Sequence, residues 1–213
     1  MKFLQYDSAF MTMLRKVTDY FLLGLLWLVV SLGVVTFGAA TTAMFYTADK
    51  SIRRDEGKMF MTFWRSFRRE FKQGTMLWLI SIPPMTFLGF NVVMLWGVEL
   101  PSLIFALLLV ACVICFFWIS LWYGYLSRFK DSVRTILWNT FRMVFAYLPW
   151  VAVLGVVTAA AIAAMAAAVW YIPPVAFVLP GVYCGVSTAL LNRIFKAHLP
   201  VEEKPAEEKT AEE

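Results

Sequence analysis

The sequence predicts an all-α protein, a polytopic bundle of about five transmembrane helices. Two observations carry that reading. Apolar residues make up 61% of the chain and charged residues 15%, against about 25% charged in ordinary globular domains, and the mean hydropathy is +0.72. In addition, five long apolar stretches alternate with polar connections, and in the two most basic connections the apolar residues recur at helical spacing. A soluble fold has no interior large enough for so much apolar surface. We expect residues 1–199 to form one transmembrane domain and residues 200–213 a disordered acidic tail of Glu, Lys, Ala and Pro.

In chain order, residues 1–18 read as a short amphipathic helix at the membrane interface, with Phe3, Phe10, Met13 and Leu14 towards lipid. Asp7, Arg15 and Lys16 argue against a cleavable signal peptide. The first apolar stretch follows, and between Asp19 and Asp49 it carries no charge. As one straight helix it would rise roughly 45 Å, more than the ~30 Å hydrocarbon core. Gly33, Thr36 and Gly38 interrupt it. The glycines weaken the helix, and the threonine hydroxyl can cap a second half-helix. We therefore expect a broken first span over 20–48. Two readings of the break stay open. One is a substrate site built from freed backbone, as in many transporters. The other is a close-packing face of Gly33, Gly38, Ala39, Ala40 and Ala43.

Residues 49–73 hold Lys50, Arg53, Arg54, Lys58, Arg65, Arg68, Arg69 and Lys72 against Asp49, Asp55, Glu56 and Glu70. Phe60, Phe63, Trp64, Phe67 and Phe71 form a helical stripe within this segment. The pattern is that of a basic amphipathic helix lying in the cytoplasmic interface. The second span, 75–96, contains Pro83-Pro84, which should kink or shorten it. A turn over Gly97–Pro101 leads to the third span, 102–125. Residues 127–147 form a second basic amphipathic segment, with Arg128, Lys130, Arg134 and Arg142. The fourth span, 149–170, has an Ala-rich run suited to close packing, and the fifth, 175–195, follows the Tyr171–Pro174 turn.

The two basic segments share the pattern W-x-[S/T]-F-R-x-x-F, at Trp64–Phe71 and Trp138–Phe145, offset by 138 − 64 = 74 residues. This suggests a parallel duplication, which Gly185–Ala189 echoes against Gly38–Ala43. The positive-inside rule puts both basic segments and the Arg193–Lys196 end in the cytoplasm. The protein is then a multi-pass protein of the inner (plasma) membrane with a cytoplasmic C-terminus. Five spans place the N-terminus outside, with Lys2, Arg15 and Lys16 on that side. A re-entrant first segment places it inside.

The first apolar stretch also carries a resemblance. Leu26, Trp27, Ser31, Thr36, Gly38, Ala39, Ala40, Ala43 and Tyr46 follow a hallmark run that resembles the YesL family of bacterial membrane proteins, with Gly33 where that family usually has proline. The likeness extends towards Phe195. It implies a polytopic membrane protein without an established activity, associated with carbohydrate uptake.

No catalytic chemistry can be named. The interiors of the five expected spans hold no ionisable side chain of the kind that relays protons. No nucleotide-binding glycine motif is present. His198 is the only histidine, and the cysteines, Cys112, Cys115 and Cys184, sit in apolar runs. We expect no enzyme, metal or cofactor. The net charge of +5 becomes +9 over residues 1–199, since the tail contributes −4. Anionic lipid of the cytoplasmic leaflet accounts for this excess, without nucleic acid.

Three functions follow. The first is an accessory protein for oligosaccharide uptake, which docks to a sugar-uptake ABC permease or its ATPase through Arg65, Arg68, Arg69, Lys72, Arg134 and Arg142. The second is a small transporter or solute-binding protein with a neutral site at Trp27, Thr36, Gly38 and Asn91, with Trp118, Trp122 and Tyr123 as further candidates. The third is a structural or lipid-organising protein.

Overall fold

The computed structural model describes residues 9–94, 102–171 and 177–198, and these are helical almost throughout. Helix α1 runs Ala9–Ser31. After a 3-10 turn at Val34–Thr36 comes α2, Phe37–Thr47, which widens into a π-helical turn at Ala48–Arg53. Then follow α3, Met59–Met94; α4, Ser102–Leu126; α5, Val133–Ala146; α6, Leu148–Tyr171; and α7, Leu179–His198. There is no strand among the described residues. The turns at Gly97–Pro101 and at 172–174, and the tail 200–213, lie outside them. Instead of a separate interfacial helix over 1–18, α1 is continuous from Ala9.

Three helices are long and apolar enough to cross a membrane: Met59–Met94, Phe105–Leu126 and Leu148–Tyr171. The count of five spans is therefore not carried. The main change concerns the first apolar stretch. It breaks where expected, at Gly33–Thr36, but the chain then doubles back. Trp27 Nε1 of α1 donates to Thr41 Oγ1 of α2 at 3.1 Å, and Arg15 meets Asp55 at 2.6 Å. Residues ever further apart in sequence are thus paired, as in an antiparallel hairpin. Its tip is apolar and open, with Leu32 82% exposed. The reversal is closed locally: Thr36 Oγ1 donates to the carbonyls of Val30 and Gly33, each at 2.5 Å, and Ser31 Oγ donates to the Trp27 carbonyl at 2.7 Å. Backbone freed at membrane depth needs such partners, because lipid supplies none.

Small residues decide how the hairpin packs. Ala39, Ala40 and Ala43 are fully buried. A Cβ on Gly38 would stand 2.1 Å from the Gly74 carbonyl oxygen of α3, and one on Gly181 2.4 Å from the Tyr20 carbonyl oxygen of α1. The close-packing reading of the break therefore holds at Gly38. The Ala-rich run of α6 behaves differently. It faces mostly outward, and of Ala159–Ala168 only Ala168 is buried.

The duplication is visible in three dimensions. α5 begins 133 − 59 = 74 residues after α3, the same offset as the motifs. Ser66, Glu70, Leu77 and Ser81 are buried in α3, and their counterparts Thr140, Val144, Val151 and Gly155 are buried in α5 and α6. The aromatic triplets also match. Trp64–Phe67 and Trp138–Phe141 stack with interplanar angles of 22° and 20°, whereas Phe67–Phe71 and Phe141–Phe145 meet edge-on at 76° and 72°. The halves differ in one respect. α3 continues through its amphipathic part and on through Pro83-Pro84, while α5 and α6 are separated at Tyr147, whose φ of −123° and ψ of 34° leave the helix. The Gly185–Ala189 echo has no structural counterpart, since Gly185 faces the Tyr20 ring instead of a helix backbone.

Three glycine substitutions test this packing by thermal unfolding of the detergent-solubilised protein. Gly38→Ala should lower the midpoint, because the α2–α3 backbones must part. Gly89→Ala, with nothing within 4 Å of the added Cβ, should hold or raise it by the helix-propensity gain of about 1 kcal/mol. Gly33 has φ −75°, a value that proline adopts, so Gly33→Pro should stabilise by about 0.4–1 kcal/mol.

Candidate functional site

Three features stand out at the ends and centre of the bundle. The first is a buried ion cluster that the sequence gives little sign of. Asp49, in the π-helical turn after α2, is only 8% exposed. Its carboxylate accepts from Arg53 at 2.7 Å, from Arg54 at 3.1 Å, from Arg128 in the α4–α5 connection at 3.4 Å, and from Asn192 of α7 at 3.2 Å. One side chain thus gathers three separated parts of the chain. Burial pushes the Asp49 carboxyl up, but Arg128, Arg53, Asn192 and Arg54 together outweigh it, and its pKa ends below the ordinary 3.8. Burial also pushes Arg128 down to about 10, against the pull of Asp49, which leaves it charged at neutral pH. The Arg128 guanidinium lies 4.9 Å from the Phe195 ring, a cation–π contact that adds to its anchoring.

The second feature is the pair of basic aromatic faces. Arg65, Arg68, Arg69 and Lys72 on α3, and Arg134 and Arg142 on α5, are all exposed. The two helices approach each other where Gln73 Nε2 donates to the Asp131 carbonyl at 3.3 Å. Not every predicted docking residue is equivalent. Arg69 lies 4.8 Å from the Tyr46 ring and bonds Glu70 at 2.5 Å, so it ties α3 to α2. Arg68 lies 5.4 Å from the Trp64 ring on its own helix. The aromatic stripe also divides. Phe63 and Phe67 are buried, whereas Phe60, Trp64 and Phe71 on α3, and Trp138 and Phe145 on α5, project outward, Trp138 at 62% exposure. Exposed aromatics interleaved with arginines are the composition of an interfacial or partner-binding surface.

The third feature is a cavity of about 450 Å³ between α1, α2, α3, α4, α6 and α7, within the usual range for small-molecule sites. Of the four residues predicted for a neutral site, only Trp27 lines it. Thr36 is spent on the hairpin reversal, and Gly38 packs on Gly74. Asn91 donates to the Phe87 carbonyl of its own helix at 2.8 Å. Nor do Trp118 and Trp122 line the cavity. Trp118 Nε1 bonds Thr140 Oγ1 at 3.0 Å and joins α4 to α5, and Trp122 is buried in the core. Tyr123 does line it, together with Thr41, Trp78, Ser81 and Tyr183. No single local pattern marks this set: Thr41, Tyr123 and Tyr183 come from three helices, and only Trp78 and Ser81 share one, α3. Among the described residues no three of His, Cys, Asp or Glu gather as metal ligands.

Comparison with known families places the hairpin. Residues 20–92 match the family model DUF624, protein of unknown function, which is the YesL family. The Leu26–Tyr46 run that resembles that family falls inside the match. So do Asp49 and the whole basic face of α3. The match ends before α4, so the likeness towards Phe195 is not carried by it, and neither Arg128 nor Asn192 falls within it. No curated protein and no solved structure matches the chain.

The ion cluster makes a specific prediction. Asp49→Asn leaves the buried Arg128 charge uncompensated and should cost about 3 kcal/mol. A carboxylate whose folded pKa is depressed contributes stability that is fully present above its unfolded value and is lost as pH falls through the folded one. Thermal midpoints measured from pH 7 to pH 3 should therefore fall in the wild type as pH drops below about 4, and this acid limb should flatten in Asp49→Asn.

Proposed function

We propose that this protein is a non-enzymatic accessory protein of the inner membrane, linked to oligosaccharide uptake, which docks to a permease or its ATPase through the paired basic faces of α3 and α5. The observation that carries the reading is the repetition of one surface: the same Trp–Phe–Arg–Phe geometry occurs twice, with the arginine, the tryptophan and the last phenylalanine outward each time. The link to carbohydrate rests on the YesL likeness.

The topology supports a cytoplasmic position for these faces. The hairpin returns the chain to its starting side, where Arg15 meets Asp55. α3 and α4 then run out and back, and so do α6 and α7, whose Trp150–Arg193 and Thr158–Tyr183 pairs are antiparallel, although α7 is not among the three helices long and apolar enough to cross. The start of α1, the end of α7 and both basic faces fall on one side, and Arg15 and Lys16 join the other basic groups there, as the positive-inside rule requires. The five-span arrangement left those two charges on the opposite side.

The quadruple substitution Arg65→Glu, Arg68→Glu, Arg134→Glu and Arg142→Glu spares Arg69, which holds α2. It should leave membrane insertion and thermal stability within about 0.5 kcal/mol of wild type, as for surface changes. It should also remove the permease or ATPase recovered with the wild-type protein from native membranes. Unchanged recovery, or recovery of no transporter component by the wild type, overturns the docking reading. Salt-sensitive binding to anionic vesicles with no protein partner would favour a lipid-organising role.

A further inference from the structure

We infer that the cavity between α1, α2, α3, α4, α6 and α7 is a binding site for the uncharged part of a membrane lipid, an acyl chain with its ester carbonyl. The argument is an inventory of hydrogen bonds. The cavity is lined mainly by apolar and aromatic side chains, and none of its lining residues is charged. Most of its polar groups are already engaged. Trp27 Nε1 donates to Thr41 Oγ1, which itself donates to the Phe37 carbonyl at 2.8 Å. Ser81 Oγ donates to the Trp78 carbonyl at 2.7 Å, Ser120 Oγ to the Phe116 carbonyl at 2.8 Å, and Thr158 Oγ1 to the Leu154 carbonyl at 2.8 Å. The Tyr183 hydroxyl pairs with Thr158 at 3.3 Å.

Three groups remain. The buried Trp78 Nε1 meets no hydrogen-bond partner, the Tyr123 hydroxyl lies beside Ser81 without reaching hydrogen-bond geometry, and Thr86 brings a further hydroxyl to the wall. An indole N–H only donates. The site therefore suits a mainly apolar molecule with one acceptor or a few. An ester carbonyl at the head of an acyl chain meets that demand. A free sugar fits poorly, because its several hydroxyls would be buried against walls that are mainly apolar, with only a few serine, threonine and tyrosine oxygens left to accept. A charged headgroup finds no counter-charge here and must stay outside.

The test uses the full-length protein in lipid-free dodecyl maltoside micelles and a diacylglycerol with a diazirine in one acyl chain. After illumination, labelling should saturate near one equivalent per chain, with adducts on the cavity residues Ile119, Ile162 or Met165. Ala161→Trp fills the cavity and should abolish that labelling. Trp78→Phe keeps the ring but removes the donor, and should weaken binding by about 3- to 10-fold, the worth of one hydrogen bond. Size-exclusion profiles and thermal midpoints confirm that both variants are folded, and Trp78→Phe decides the matter where Ala161→Trp is not. Labelling that rises linearly without saturating, adducts confined to outward positions such as Val156 and Val169, or saturable labelling indifferent to Trp78→Phe overturns the proposal.

Discussion

The Asp49 carboxylate is the constraint on which the rest of the bundle depends. A carboxylate that is nearly buried has to be paired or its burial is prohibitively costly. Here the pairing groups come from the turn that bears it, from the α4–α5 connection and from α7. No two of these parts are neighbours in sequence. Satisfying one charge therefore fixes where α2 ends, where α4 hands over to α5, and where α7 crosses. The cluster also fixes the sense of the hairpin. With Arg15 against Asp55 and Asp49 against Asn192, the start of α1 and the end of α7 lie at one end of the bundle.

Around that fixed point the chain uses one design twice, with one difference. α3 carries its amphipathic part and its membrane part as one rod of 36 residues. In the second half the same stretch is divided at Tyr147 into α5 and α6. The residue after the division is Leu148, and Pro149 then sits in the first turn of α6, a place where proline costs no helical hydrogen bond. The second half is free to bend its basic helix away from its span. In the first half the hairpin lies along α3, with the α2 backbone against that of α3 at Gly38 and Gly74.

What was legible in the sequence follows from which forces are local. Apolar runs, helical stripes and a break at Gly33–Thr36 are written in consecutive residues, and all three are found. The 74-residue repeat was legible for the same reason, and the burial of Ser66 with Thr140 and of Leu77 with Val151 bears it out. The direction taken after the break was not legible. A kinked span and a hairpin need the same glycines and the same threonine, and the choice is made by the Trp27–Thr41 bond, which closes only after the chain has turned. The site residues fared as their forces suggest. The exposed arginines of α3 and α5 lie where amphipathic spacing puts them, except that Arg69 is drawn onto Tyr46. Of the neutral set, Thr36 and Gly38 were correctly seen as special, but they serve the turn and the packing. The cavity depends on six helices meeting, and only Trp27 and Tyr123 among its walls were singled out beforehand.

The separation of the two surfaces bears on how they are used. The basic faces are polar, open and repeated, and suit a large partner. The cavity is mainly apolar and uncharged, and suits one uncharged chain. A polyhydroxylated solute suits it poorly, because its walls offer few partners for the hydroxyls. On the proposed reading, any part this protein has in carbohydrate uptake therefore runs through the machinery it docks to, and not through sugar bound in its own core.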